Sequence, residues 1–366
     1  MNSPSHFTER QLATHRTHFL HRATPPQTLS LMLNRQQTLR NDRFASKFAE
    51  FSALVGAFRA YVSPIIAITG ILGNALIIYL FWREKPRTRF SVFAISLALA
   101  HTISLVINTI MDDFLGRGLH YATGGAFSVK LDATSEASCK LLEYLPNTMY
   151  FTASYLVAVF SIDRVLTTYH PIRFHACRYR KQAILACLIV AILGASGNIP
   201  TLFVQTLRLE TEGNIACRMD RSRALLADFA IVFTTIVTFF LPVIIVLVLN
   251  LIIIQQLWRA HRWRTTMTGG ARGAQEMGRI TGHLAMTTCF LLLYLPLGIV
   301  VLMRLHVTVC LGEENTPRAI RTINLSKFLS SLKDVAYAVN CLIYAIFLPK
   351  FRARLTSLCG YHRPHN

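Results

Sequence analysis

Charge is what this chain has least of. Charged residues are 15% of its 366, against about a quarter in an ordinary soluble domain. The shortfall is acidic: 18 Asp and Glu face 38 Lys and Arg, a net charge of +20. No Cys-x-x-Cys occurs among the eight cysteines and the 13 histidines are scattered, so no metal centre or dithiol redox motif is drawn. No nucleophile–base constellation stands out, and nothing reads as an enzyme. No segment repeats, which counts against most transporter architectures. The single Asn-x-Ser/Thr sequon, Asn324-Leu-Ser326, lies so near an apolar segment that a glycan is not expected there.

What the chain has instead is apolar length. It is 52% hydrophobic, with a mean hydropathy of +0.40. A helix crosses a bilayer core in about 20 residues. Tyr61 to Trp82, Phe90 to Met111, Tyr144 to Ile162, Ala183 to Leu207, Phe229 to Leu257 and Leu284 to Met303 all qualify. A seventh segment, Thr322 to Pro349, carries Lys327, Lys333 and Asp334, as suits a helix facing a bundle interior and not lipid. The expectation is an all-α membrane protein, a bundle of seven transmembrane helices.

The basic excess falls in the connections. Arg83, Lys85, Arg87 and Arg89 follow the first segment, and Arg173, Arg178, Arg180 and Lys181 the third. Arg259, Arg262, Arg264, Arg272 and Arg279 follow the fifth, and Lys350, Arg352 and Arg354 the seventh. The alternate connections also hold acids, among them Asp112, Asp113, Asp132, Glu136, Glu210, Asp220 and Glu313. The positive-inside rule then puts the N-terminus outside and implies a multi-pass protein of the plasma membrane. Divided among short loops, the basic residues form no single patch, so no nucleic-acid partner is implied. Residues 1–58 read as a disordered extracellular tail, residues 59–355 as the membrane domain and residues 356–366 as a short cytoplasmic tail. The first 58 residues are basic and lack a secretory-type apolar region near Met1. A mitochondrial transit peptide and a later start at Met32 therefore stay open beside the disordered tail.

Asp163 and Arg164 stand side by side where the third apolar segment ends. Gly73-Asn74 lies within the first segment, "SLALAH" (Ser96 to His101) in the second, Pro242 in the fifth, "LYLP" (Leu293 to Pro296) in the sixth and "NCLIY" (Asn340 to Tyr344) in the seventh. Cys139 precedes Arg164 by twenty-five residues. From about Ile65 to Leu355 this pattern resembles the rhodopsin-like (class A) G-protein-coupled receptors, in a divergent form similar to invertebrate neuropeptide receptors. The resemblance implies a receptor that senses an extracellular ligand and activates a heterotrimeric G protein, with no cofactor. It makes "FLPKFRARL" an amphipathic eighth helix, with Phe347, Phe351 and Leu355 on one stripe. Cys359 just after it is then a site for palmitoylation against membrane lipid.

The resemblance also assigns roles. Cys139 and Cys217 pair in a disulfide. Arg164 is held by Asp163 and by Glu276, twenty residues before Pro296, in a lock whose opening frees the sixth helix and exposes the G-protein groove. Asn340, Tyr344, Tyr294 and Pro296 belong to the activation switch, and Asn74 and His101 to the polar core. Several positions depart from the family pattern: Val165, His101, Ala153, Asn250, Tyr294 and Cys341. With His101 and Ala153 in place, no conventional sodium site is expected. Pro146 stands where amine receptors carry an aspartate, and Asp334 where opsins carry the retinal lysine, so neither a monoamine nor retinal is expected. Lys333 is adjacent, but one residue turns about 100° around a helix, which makes it an imperfect partner for Asp334. Asp112, Glu143 and Asp334, with Asp113, form an acidic outer mouth suited to a cationic or amidated peptide. The alternative class is a multi-span transporter or channel, which calls for repeats and paired intramembrane charges.

Overall fold

The computed structural model describes residues 49–85, 87–127, 129–169, 180–209, 215–264, 271–312 and 316–358. The chain divides into two compact units, Met1–Ala53 and Leu54–Asn366. Of the first, only residues 49–53 are described, and they are helical.

Among the described residues, seven helices are long and apolar enough to span a membrane: α1 Ala49–Trp82, α2 Arg89–Ala122, α3 Glu136–Tyr169, α4 Arg180–Val204, α5 Ala224–Arg259, α6 Met277–Thr308 and α7 Pro317–Phe347. A shorter α8, Pro349–Leu358, follows. A hairpin of β1 Gln205–Leu209 and β2 Ile215–Met219 joins α4 to α5, with Leu207 opposite Cys217. Most spans run beyond their apolar segments. The first corrects a boundary: a tail was expected through residue 58, but the chain is helical from Ala49. A helix needs no apolar residues once it leaves the hydrocarbon, so its ends outrun the hydropathy signal.

Caps and packing explain where elements start and meet. Thr88 accepts from the Ser91 amide to cap α2, and Thr316 accepts from the Ala319 amide ahead of Pro317 to cap α7. α3 is central, with 61% of its most apolar window buried, whereas α4 is peripheral at 28%. Ile65, Ile68, Leu72, Leu188, Ile192 and Leu292 face outward, as lipid contact requires. α1 lies against α7 through glycine: a Cβ on Gly73 would stand 2.9 Å from Cys341 Cβ, and one on Gly70 2.9 Å from Ala338 Cβ. Small residues of this kind let membrane helices approach closely. The stripe on α8 seats as its spacing implies. Phe351 is buried against Phe81 and Tyr344, with ring centroids at 5.7 and 6.0 Å, and Phe347 and Leu355 pack on the same core.

Candidate functional site

Three polar clusters lie along the bundle. The first is at the end carrying Arg164, here called the inner end. Asp163 and Arg164 are both buried, and Asp163 accepts from Arg164 and also from Arg89 at the start of α2. Beside them Glu84, in the α1–α2 connection, receives Arg279 Nη2 of α6 at 3.3 Å and also accepts from the Ser91 hydroxyl. Both guanidiniums lie over the Phe90 ring, Arg164 at 5.4 Å and Arg279 at 5.5 Å from its centroid. One turn deeper, Ser161 Oγ meets His283 Nε2 at 3.0 Å and ties α3 directly to α6. Burial makes such ties matter, because a charge withdrawn from water needs a partner.

Arg89 and Arg279 therefore differ from their reading as loop cations: each is buried in an ion pair. Their partners are 74 and 195 residues away in sequence, and a single chain offers no signal at such distances beyond an acid, Glu84, set among basic neighbours. Glu276 falls on the helix Ala271–Leu305, but its side chain lies outside the described residues, as do Cys359 and its surroundings.

The second cluster is at mid-bundle. Asn74 Nδ2 donates to the Tyr337 carbonyl at 3.2 Å, which ties α1 to α7. Asn340 and His101 meet at 2.8 Å, and the His101 ring lies 4.5 Å from that of Tyr337. Tyr294 and Tyr337 share a hydroxyl–hydroxyl hydrogen bond, in the turn of α6 that precedes Pro296. Tyr344 donates to Met286 Sδ at 3.7 Å. α7 departs from a regular helix between Lys333 and Asn340 although Cys341 replaces a proline. The Tyr337 carbonyl that accepts from Asn74 lies in this stretch.

The third cluster is at the outer end. Cys139 at the start of α3 is disulfide-bonded to Cys217 on β2, and the Leu207 amide donates to Glu136 at 3.1 Å, so the hairpin is fastened to α3 twice. On its open side Asp220 receives Arg208 at 2.5 Å. Hydrogen bonds from the Ser222 hydroxyl and amide, and the nearby Arg208, hold the Asp220 carboxyl below its usual range. Between α1, α2 and α7, Arg59 pairs with Asp113 at 3.0 Å and donates to Ser331 Oγ at 3.0 Å. Thr109 donates to Asp334 at 2.7 Å.

Two expectations are corrected here. Lys333 was to be an imperfect partner for Asp334, yet its Nζ lies 2.7 Å from Asp334 Oδ1, both side chains are buried, and the ammonium sits 3.9 Å from the Tyr150 ring centroid. A four-carbon stem overcomes the 100° offset between neighbours. The acids of the outer mouth were to await a cation. Asp112 is instead paired with Arg117 at 2.9 Å, Asp113 with Arg59 and Asp334 with Lys333. Glu143 is half-buried, within the opposing fields of Asp112 and Arg117.

Residues 73–344 match the family model described as 7 transmembrane receptor (rhodopsin family). The chain is 25% identical over 215 residues to the neuropeptide S receptor of Homo sapiens, covering 57% of this chain and 53% of that one. It is 22% identical over 296 residues to the human C5a anaphylatoxin chemotactic receptor 1 (80% and 77% covered), and 27% identical over 259 residues to the Mus musculus cysteinyl leukotriene receptor 2 (69% and 77% covered). It thus spans about half the length of the neuropeptide S receptor that it matches. These relatives are receptors and not enzymes. Seven membrane-spanning helices, the Cys139–Cys217 bridge and the match over most of the bundle agree: the chain is a multi-pass membrane protein that belongs to the rhodopsin family of seven-transmembrane receptors, as a divergent class A member.

Proposed function

We propose that this receptor lies in the plasma membrane with its N-terminus outside, senses an extracellular peptide and activates a heterotrimeric G protein. The observation that carries the reading is the inner-end cluster. Asp163 links Arg164 to Arg89, and Glu84 links Arg279 to the α1–α2 connection, so α3 and the inner end of α6 are each tied by a buried ion pair. Such a bundle has two states, one with the ties made and one with α6 displaced and a groove open to a G protein. A ligand moves the balance only through different affinity for the two. Arg164 with Glu276 adds a third tie in this reading. The mid-bundle chain of His101, Asn340, Tyr337 and Tyr294 is the path by which the outer and inner ends are coupled, and Asn74, Pro296 and Tyr344 fix the helices on either side of it.

The orientation rests on the excess of Arg and Lys at the inner end. The peptide class is supported by the neuropeptide S receptors among the relatives. Support for an amidated or cationic peptide narrows to Glu143, because Asp112, Asp113 and Asp334 already hold basic side chains. The test is nucleotide exchange on a panel of purified heterotrimeric G proteins by the full chain in lipid nanodiscs. Exchange above the receptor-free rate for at least one G protein, raised further when the Glu84–Arg279 tie is removed, is expected. No acceleration for any of them, with and without the tie, overturns the reading.

A further inference from the structure

Lys333 is wholly enclosed, with 0% of its side chain exposed. Its ammonium donates to Asp334 Oδ1 at 2.7 Å. It also lies 3.9 Å from the ring centroid of Tyr150 on α3 and 5.3 Å from that of Tyr337 on α7. These surroundings are themselves held in place. Asp334 Oδ2 accepts from the Thr109 hydroxyl of α2 at 2.7 Å, and the Tyr337 hydroxyl is bonded to that of Tyr294 on α6. Side chains of α2, α3, α6 and α7 thus assemble around one positive charge, with a carboxylate on one side of it and aromatic faces on the others. Aromatic faces are what proteins use to receive a ligand cation, and the space between helices is where a bundle takes a ligand. As an ion pair, Lys333–Asp334 has little to offer the fold. Its members are neighbours on one helix, so the pair itself joins nothing, and its burial is costly. The contacts that cross the bundle are those of the cage: Tyr150 to the ammonium and Thr109 to the carboxylate.

We propose that Asp334, Tyr150 and Tyr337 form a subsite for a primary alkylammonium group, and that Lys333 fills it from within. Lys333 is then a specificity determinant: while its ammonium occupies the cage, a cationic group of an incoming ligand is shut out at this depth by like charge and by lack of space. The proposal rests on the receptor reading only for the direction from which ligands enter this half of the bundle. Replacing Lys333 by alanine empties the cage. The change removes three methylenes and the ammonium, the equivalent of one n-propylammonium ion, and leaves the carboxylate and both rings. Enclosed cavities left by truncation take up small molecules that match them. An ammonium entering here regains the charge-assisted hydrogen bond and the contact with the aromatic faces. Propan-1-ol has the same size and brings no charge.

The test is thermal unfolding of the full-length receptor in lipid nanodiscs. A ligand that binds only the folded form raises its melting temperature. n-Propylammonium should do so for Lys333→Ala at a concentration at least about tenfold below that required of propan-1-ol, equivalent to about 1.4 kcal/mol. Wild type, with the cage filled, should show no such preference. Nor should Lys333→Ala combined with Asp334→Asn, which lacks the carboxylate. If Lys333→Ala is too unstable to purify, the same comparison is made in cells: its surface expression should recover with n-propylammonium in the medium and not with propan-1-ol. In either format the proposal is overturned if Lys333→Ala does not prefer the amine, if wild type shows the same preference, or if the preference survives Asp334→Asn. No G protein enters the measurement. Nucleotide exchange by wild type, measured separately, reports on the receptor reading, so either can fail without the other.

Discussion

Replacing Glu84 by glutamine should loosen the inner end of α6 without disturbing its packing. The side chains are nearly isosteric, so the change removes a charge and little volume. At 3.3 Å, two unit charges attract by about 5 kcal/mol at an effective dielectric of about 20 and by about 1.3 kcal/mol in water. Desolvation of both groups offsets much of the larger figure, and a hydrogen bond to a charged group nets about 1.5–3 kcal/mol. Taking the lower end, about 1.4 kcal/mol shifts an equilibrium tenfold. An open state populated at about 1%, within the usual range for a minor conformer, then rises to roughly a tenth of the molecules. Basal nucleotide exchange on G protein should rise by a similar factor at equal receptor density. Arg279→Gln should do the same, and the exchanged pair Glu84→Arg with Arg279→Glu should return the rate toward wild type. If both single variants stay within about twofold of wild type, the pair does not restrain α6 and the two-state account of the inner end fails.

Glu276→Ala tests the proposed partner of Arg164 independently: basal exchange should rise while Arg164→Ala lowers coupling, and an unchanged basal rate at equal surface expression removes Glu276 from the lock. Lys333→Met leaves the buried Asp334 carboxylate with the Thr109 hydroxyl and no cation, a change that costs about 3–5 kcal/mol, so surface expression should fall sharply and recover when Asp334→Leu is added; a stable single variant would show that Asp334 does not depend on Lys333. The Cys139–Cys217 bridge closes a separation of 78 residues, for which chain entropy predicts about 4.5 kcal/mol. The double serine variant should melt well below wild type in detergent, and an unchanged melting temperature would refute that figure. Gly73→Ala should destabilise the α1–α7 contact by about 1–3 kcal/mol through overpacking against Cys341, and Cys341→Gly should restore it; thermal unfolding of the single and double variants checks both.

The spans were legible because hydropathy integrates over many residues, and the bilayer rewards each of them alike. Their ends were not. Glu136 and Lys140 sit on α3, where an i,i+4 pair at 3.3 Å replaces apolar burial. Asp163 and Arg164 were legible as a marker of the third span's end, since charge at a membrane boundary stands out against apolar neighbours. Arg89 and Arg279 were not, because a basic residue near the interface looks the same whether it faces lipid head groups or a buried acid. Lys333 misled for a different reason. Helical angle places a Cα and its first carbon well, but a flexible stem reaches past its own sector.

Phe90 lies under two guanidiniums that belong to different moving parts, Arg164 of α3 and Arg279 of α6. Protons held over an aromatic face are shielded by its ring current, so the side-chain N–H resonances of both arginines should fall upfield in the tied state. Displacement of α6 removes Arg279 from the ring and leaves Arg164 to be moved, or not, by α3 alone. Two magnetic resonance signals read against one phenyl ring would thus resolve which helix departs first, with no label attached to either.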